Sequence, residues 1–132
     1  MNKYEYKNAE LDQKVKDFMK KLDLNTQGLG QDHIRVLVDQ ADKIISCAFI
    51  QPDFDSCSAE IFVFGVALDL QRTGVGRFFA GKILKELTDG GCERVNVEPN
   101  SKKAYSFWSA MGFCDHEYLV GNYGFHKMIK NL

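Results

Sequence analysis

The chain has 132 residues, 45% of them hydrophobic and 27% charged, with a formal net charge of -1. That length gives one domain with a real core and is short for two, so residues 1–132 read as a single domain of ordinary globular composition. The near-neutral charge excludes the broad basic footprint of a nucleic-acid binder, no window approaches the roughly 18 apolar residues of a membrane span, and the polar start "MNKYEYKNAELDQ" lacks a signal peptide's apolar core, which predicts a cytoplasmic protein.

"KYEYK" (Lys3 to Lys7) alternates and reads as a short first strand. In "AELDQKVKDFMKKLDL" the apolar residues Leu11, Val15, Phe18, Met19 and Leu22 recur at helical spacing, and Asn8 is placed to cap the start. "GLGQD" breaks that run. "HIRVLVD" puts Ile34, Val36 and Val38 on one face, as a half-buried strand does, and "KIISCAFIQ" is its hairpin partner across the turn "DQAD". After the loop "PDFDSCS", "AEIFVFGVAL" (Ala59 to Leu68) is almost continuously apolar and predicts a central strand covered on both faces. Gly65 within it suggests a bulge or a close backbone approach.

A longer helix follows. Val75, Phe79, Ile83 and Leu87 recur every four residues with Phe78 and Leu84 beside them, while Arg77, Lys82, Lys85 and Glu86 sit mainly on the other side. Gly90 and Gly91 end it. "ERVNVE" is a strand. "NSKKAYSFWSAM" is a short helix begun by Asn100 or Ser101 and stopped by Gly112. "FCDHEYLV" and "YGFHKMIKN" close the chain as a strand pair around "GN". The order is β-α-β-β-β-α-β-α-β-β. It predicts an α+β (α/β) fold whose mixed, twisted sheet of six to seven strands carries about four flanking helices. The strand–helix–strand unit from Ala59 to Glu98 is expected to be parallel.

Cys47, Cys57, Cys92 and Cys114 have no zinc-ligand C-x2-4-C spacing and read as reduced thiols and small buried apolar residues. No metal is expected. The chemistry is expected instead at the glycines that open the long helix, and three phosphate-binding templates test them. G-x-G-x-x-G matches at Gly74 and Gly76 but meets Phe79 in third place. G-x-x-x-x-G-K-[ST] nearly matches from Gly76, yet Ile83 replaces the magnesium-binding hydroxyl and "RFFA" carries helical periodicity where a loop is needed. The pattern Q/R-x-x-G-x-G/A between a strand and a helix is satisfied in full by Gln71, Arg72, Thr73, Gly74, Val75 and Gly76.

On those residues the chain resembles the GNAT superfamily of acetyl-CoA-dependent N-acetyltransferases, in which this loop takes the cofactor pyrophosphate. The resemblance continues in "VEPNSKKAYSFWSAMGF", similar to the family's second cofactor motif with Ala104, Phe107, Gly112 and Phe113 in register. The order of elements agrees as well, so the likeness spans nearly the whole chain. The physical reason for the loop is general. The first four N–H groups of a helix have no internal acceptor, their partial positive charge suits an anion, and glycine lets a phosphate reach hydrogen-bond distance. The resemblance implies that Phe64, Gly65 and Val66 present strand backbone to the pantetheine arm, that Arg72, Thr73, Gly74, Val75, Gly76 and Arg77 hold the diphosphate, and that Lys102, Lys103 or Arg77 meets the 3'-phosphate. It also implies acetyl-CoA as cosubstrate, bound between the strand at Ala59–Leu68 and the strand at Glu93–Glu98.

Two positions depart from the family pattern. Its asparagine falls at Ser101, next to Asn100, and its usual tyrosine, which protonates the leaving thiolate, falls at Trp108. An indole N–H donates a hydrogen bond but is no acid at neutral pH. Tyr105, one helical turn earlier, is the leading substitute, and Tyr118, Tyr123, Cys114 or water are others. For the base, Glu60 stands eleven residues before Gln71 in an "AEI" context similar to the histone acetyltransferase branch. An acid inside an apolar strand is expected to have a raised pKa. Glu98 is the second candidate. His33, His116 and His126 read as surface or strand-packing residues. The implied reaction is direct acetyl transfer to a primary amine, on a small molecule or on a protein or peptide. The alternative is an acyl-CoA-binding sensor or partner module weakened by Trp108. The loop "LNTQGLGQDH" would shape the acceptor pocket, Asp32, Asp53 and Asp55 could attract a cationic amine, and the family resemblance allows a homodimer. No nucleic-acid or membrane partner is expected.

Overall fold

Seven strands, three α-helices and one 3-10 turn at Leu68–Leu70 make up the computed structural model, which describes residues 3–24, 33–53, 55–121 and 124–132. In chain order they are β1 (Glu5–Ala9), α1 (Gln13–Lys21), β2 (Ile34–Val38), β3 (Ile44–Asp53), β4 (Ser58–Val66), α2 (Val75–Asp89), β5 (Arg94–Val97), α3 (Lys102–Ala110), β6 (Cys114–Val120) and β7 (His126–Asn131). The strands follow one another across the sheet as β1-β2-β3-β4-β5-β7-β6. The order of elements is the one that the hydrophobic periods predict, and the described residues hold three α-helices where about four were expected. The chain divides into two compact units, Met1–Ile50 with Val63–Glu86, and Gln51–Phe62 with Leu87–Leu132.

In the first unit β1, β2 and β3 pair antiparallel, with Tyr6 opposite Leu37 and Val36 opposite Cys47. One face carries Ile34, Val36, Val38, Cys47 and Phe49, which pack with Val15 and Met19 of α1. Leu37 is also fully buried, as is the run Ile45–Ile50, so β2 and β3 are covered on both sides and β2 is not the half-buried strand its alternation suggested. The cap of α1 is Asp12, whose carboxylate accepts from the Val15 N–H at 3.0 Å. Asn8 lies instead in β1, opposite Arg35, because the strand runs two residues further than its alternation marked. The β2–β3 turn is built on Asp39, whose Oδ1 accepts from the N–H groups of Ala41 and Lys43. On α2, Val75, Phe79, Ala80, Ile83 and Leu84 are buried.

Glu86 is not on a solvated face as the helical period suggested. It receives Nε of Arg35 at 2.9 and 3.1 Å and Nη2 at 2.7 Å, and the Tyr6 hydroxyl donates to its Oε1 at 2.7 Å. This clasp joins α2 to β1 and β2. Burial, then the bond to Glu86, drives the Tyr6 hydroxyl far above its ordinary pKa.

In the second unit β4 runs parallel to β5, from Ser58 opposite Arg94 to Ile61 opposite Val97. The chain then leaves β5 through α3 and β6, and β7 returns to lie between β5 and β6, antiparallel to both. Ala59, Ile61, Val95, Val97 and Met128 share the buried face. Trp108 and Phe113 are buried too, their rings 5.1 Å apart and edge-on. The opposite face carries Glu60, Phe62, Asn96 and Ile129. Phe62 is 46% exposed, so this half of β4 is covered on one face only, contrary to its apolar run. Helix α2 ends where glycine permits, with Gly91 at φ +89. Of the four free cysteines Cys47 is buried, its thiol pushed up to about 12 by desolvation, Cys92 is half-buried, and Cys57 and Cys114 are exposed rather than core residues.

Candidate active site

The first unit contains the predicted anion loop and the strand end that feeds it. From Val66 the chain passes through the 3-10 turn and enters α2 at Val75. Two residues of the loop take left-handed backbone, Arg72 at φ 64 and Gly74 at φ 91. Successive changes of hand in a short segment turn neighbouring N–H groups toward one side, the geometry of an anion nest. The Gly74 carbonyl accepts from the Phe78 N–H at 3.0 Å and so starts the helix. The N–H groups of Val75, Gly76 and Arg77 belong to the first turn, where no intrahelical acceptor exists. Arg72, Thr73, Gly74 and Arg77 are exposed, while the Val75 side chain is buried and anchors the mouth of the helix.

Two residues of the motif are committed to holding the loop in shape. Gln71 Nε2 donates to the Val66 carbonyl at 3.1 Å, and the Thr73 hydroxyl donates to the Leu70 carbonyl. Their side chains brace the turn, and what the turn offers outward is backbone N–H with two arginines beside it. Phe64 stacks on Phe79 of α2 with centroids 5.4 Å apart. At Gly65 an added Cβ would lie 2.7 Å from a methyl of Leu24 and 2.8 Å from one of Leu22. The close approach expected there is met by the chain that follows α1. A cavity of about 420 Å3 in this unit is lined by Lys3, Tyr4, Asp39, Lys43, Asp69 and Leu70 among others, and by none of the predicted site residues.

The second unit contains the ionisable candidates. Glu60 is half-buried on β4, its backbone opposite Asn96 of β5. Desolvation raises its pKa, the negative charge of Glu98 raises it further, and the positive charge of Lys127 pulls it down, with a net rise. A carboxylate so placed holds a proton at higher pH than an exposed one, as a general base for amines requires. Glu98 is half-buried, and an added Cβ at Gly121 would come within 3.1 Å of its carboxylate.

Tyr105 on α3 donates its hydroxyl to Asp115 Oδ1 at 2.6 Å and stacks on Phe125, centroids 5.8 Å apart. The bond to Asp115 raises the phenol pKa. Ser101 caps α3 by accepting from the Ala104 N–H at 3.1 Å, and Asn100 beside it is exposed. Trp108 is 5% exposed, with its ring edge-on to Phe107 and Phe113. Lys102, Lys103, His33 and His126 are exposed, and Asp53 accepts from the Asp55 N–H within its own turn. Asp32, Tyr123 and the side chain of Tyr118 lie outside the described residues. Among the described residues no group of three His, Cys, Asp or Glu side chains is placed to hold a metal ion, and no helix is long and apolar enough to cross a membrane.

Sequence reasoning missed Asp115, Lys127 and the Arg35–Glu86 clasp. Lys127 becomes a neighbour of Glu60 only through the insertion of β7 between β5 and β6, which local periodicity does not encode, while Asp115 meets Tyr105 across the turn that joins α3 to β6.

A family model described as acetyltransferase (GNAT) family matches residues 4–113. No curated protein matches the chain. Among solved structures, N-acetylglutamate synthase from Neisseria gonorrhoeae, complexed with coenzyme A and N-acetyl-glutamate, superposes with a TM-score of 0.79 at 13% identity. That match covers 98% of this chain and 35% of the synthase, so the chain spans about a third of its length. The ribosomal-protein-S18-alanine N-acetyltransferase from Escherichia coli gives 0.70 at 16% identity, covering 98% of this chain and 92% of that one. An acetyltransferase of the GNAT family from Staphylococcus aureus gives 0.74 at 10%, covering 98% and 99%. At these identities the likeness is one of fold.

Proposed function

The chain belongs to the acetyltransferase (GNAT) family, and from that membership we propose that it is an acetyl-CoA-dependent N-acetyltransferase acting directly on a primary amine. The observation that carries the reading is the turn from Gln71 to Arg77. It is braced from within by Gln71 and Thr73, twisted at Arg72 and Gly74, and opens a fifteen-residue helix. Such a turn suits a diphosphate, because it presents N–H groups at the positive end of a helix without an intervening side chain. The backbone of Phe64 and Gly65, on the strand leading to it, would pair with the pantetheine amides as an added strand does.

Glu60 lies four residues before Phe64 on the same strand. It takes a proton from the acceptor nitrogen, whose lone pair then attacks the thioester carbonyl. The C–N bond forms, the C–S bond breaks, and the second proton that leaves the nitrogen passes through water to the thiolate. A thiolate is a tolerable leaving group, with a thiol pKa of about 8.5 in free Cys. Tyr105 is the acid that the sequence nominates, but its proton is held against Asp115. Acid assistance from it requires that this bond be exchanged. Trp108, in its buried aromatic setting, supports the helix that carries Tyr105. The acceptor class is a primary amine on a small molecule, peptide or protein.

Two measurements test the reading. Calorimetric titration with coenzyme A is expected to show one site that Gly74→Val abolishes. Thiol release from acetyl-CoA, run with spermidine, free amino acids and a lysine-bearing peptide, is expected to single out one class. Glu60→Gln should then lower kcat by about 10²–10⁴-fold and leave coenzyme A affinity unchanged. Failure of the intact protein to bind coenzyme A would end the proposal.

A further inference from the structure

The open face of the second unit carries a short charge array. Glu60 on β4 is opposite Asn96 on β5, and Asn96 is opposite Ile129 on β7. Side chains alternate along a strand, so residues two apart share a face. Lys127, two before Ile129, and Glu98, two after Asn96, therefore fall on the face of Glu60. The pairing of Val97 with Met128 brings Glu98 and Lys127 next in register. Among the described residues Arg94, two before Asn96 on β5, also falls on this face, with Cys114, opposite Ile129, and His116 two beyond it on β6, and Asp53 at the end of β3 is engaged by its own turn. The space beside Gly121 is filled by the Phe125 carbonyl and the Glu98 side chain, on both of which a Cβ there would press.

We propose that Lys127 and Glu98 are positioning residues that set, in opposite senses, the pH at which Glu60 can accept a proton. The proposal rests on Glu60 being the base. Its chemistry is simple. A half-buried carboxylate is sensitive to neighbouring charge, because the surroundings screen less than water does. The ammonium of Lys127 favours the ionised form of Glu60, and the carboxylate of Glu98 disfavours it. Burial and Glu98 keep the base protonated to higher pH than an exposed glutamate. Lys127 limits that rise, so that the ionised form persists to lower pH than it would without the ammonium. Removing Lys127 therefore leaves less ionised base at a given pH, while removing Glu98 gives a more acidic, weaker base that is ionised earlier.

The test follows the side-chain carboxyl carbon of Glu60 by 13C NMR in the full chain without ligand, assigned by its loss in Glu60→Gln. Lys127→Met is expected to move the titration midpoint to higher pH, and Glu98→Gln to lower pH. Lys127→Arg, which keeps the charge, should restore the wild-type midpoint. The pH at half-maximal thiol release, with the amine found active in the panel above, should follow the same order. Midpoints that do not move, or that move in the same direction for both variants, overturn the proposal. Midpoints that move as expected while Glu60→Gln retains full turnover leave the charge array standing and remove Glu60 as the base.

Discussion

Substituting Glu86 by Gln isolates the clasp between α2 and the β1–β2 pair. The change preserves shape and removes the charge that three contacts from Arg35, at 2.7, 2.9 and 3.1 Å, now meet. The Arg35 side chain is 13% exposed and that of Glu86 38%. Breaking a fully buried pair costs about 3–5 kcal/mol. The exposure of Glu86 admits solvent screening and argues for a value at or below the bottom of that range, about 2–3 kcal/mol. For a chain of this size each kcal/mol moves the thermal midpoint by roughly 3–4 °C, so a drop of about 10 °C is expected by circular dichroism. The sign with pH is fixed. The bond from Arg35 lowers the pKa of Glu86, so the clasp's stabilisation is present above the ordinary carboxylate value of 4.5 and lost as pH falls through the lower folded value. The gap between wild type and Glu86→Gln should accordingly close below that pH. Replacing both partners by Leu should recover much of the loss, since no unpaired guanidinium is then left buried. A Glu86→Gln protein that melts within about 2 °C of wild type, or a gap independent of pH, would refute the reasoning.

Other substitutions separate roles within the site. Gly74→Ala places a Cβ on backbone at φ 91, where an L side chain costs about 1–2 kcal/mol, and should both lower the melting midpoint and weaken coenzyme A binding in calorimetry. Tyr105→Phe should leave kcat within about threefold, because its proton is already committed to Asp115, whereas a true general acid would lose about 10²–10⁴-fold. Gly65→Ala pushes on the methyl ends of Leu22 and Leu24. Both are flexible, so a loss near the low end of the about 1–3 kcal/mol typical of overpacking is expected in urea denaturation.

Hydrophobic period carried most of the fold. The four-residue recurrence from Val75 marks α2, and the alternation around Val36 marks β2, because in each case one face must be buried and the spacing of apolar residues follows the backbone repeat. Cover was harder to read. The run at Ala59–Val66 is as apolar as a doubly covered strand, yet Phe62 is open, and the strands closed on both faces are β2 and β3. Composition states what a side chain prefers, not whether another layer is available to satisfy it. Long-range pairing was invisible. Nothing near Glu86 in the chain names Arg35, 51 residues away, and nothing near Glu60 names Lys127. Capping was a local competition. Asn8 and Asp12 are both competent caps, and Asp12 prevails because Asn8 is held in the β1–β2 ladder.

The loop itself was the most legible part of the site, and its geometry changes what the motif means. In the template Q/R-x-x-G-x-G/A the first residue looks like a ligand. Here its amide is turned inward to the Val66 carbonyl, and the Thr73 hydroxyl to the Leu70 carbonyl. The first bond ties the turn to the end of β4 and the second to the 3-10 turn that follows it, so the path from strand to helix is set before any anion arrives. A preorganised turn loses little freedom on binding. Grip then comes from backbone N–H groups whose direction depends on φ at Arg72 and Gly74, not from side-chain chemistry at those places. It follows that Gln71→Ala should weaken coenzyme A binding as a slackened brace does. The N–H donors remain, so the loss should appear as a faster off-rate, and it should be recovered in part by cooling. Thr73→Ser, which keeps the hydroxyl that reaches Leu70, should bind as wild type. If instead Gln71→Ala binds normally while Arg72→Ala and Arg77→Ala together abolish binding, the anion is held by the guanidinium groups and the backbone account of this loop is wrong.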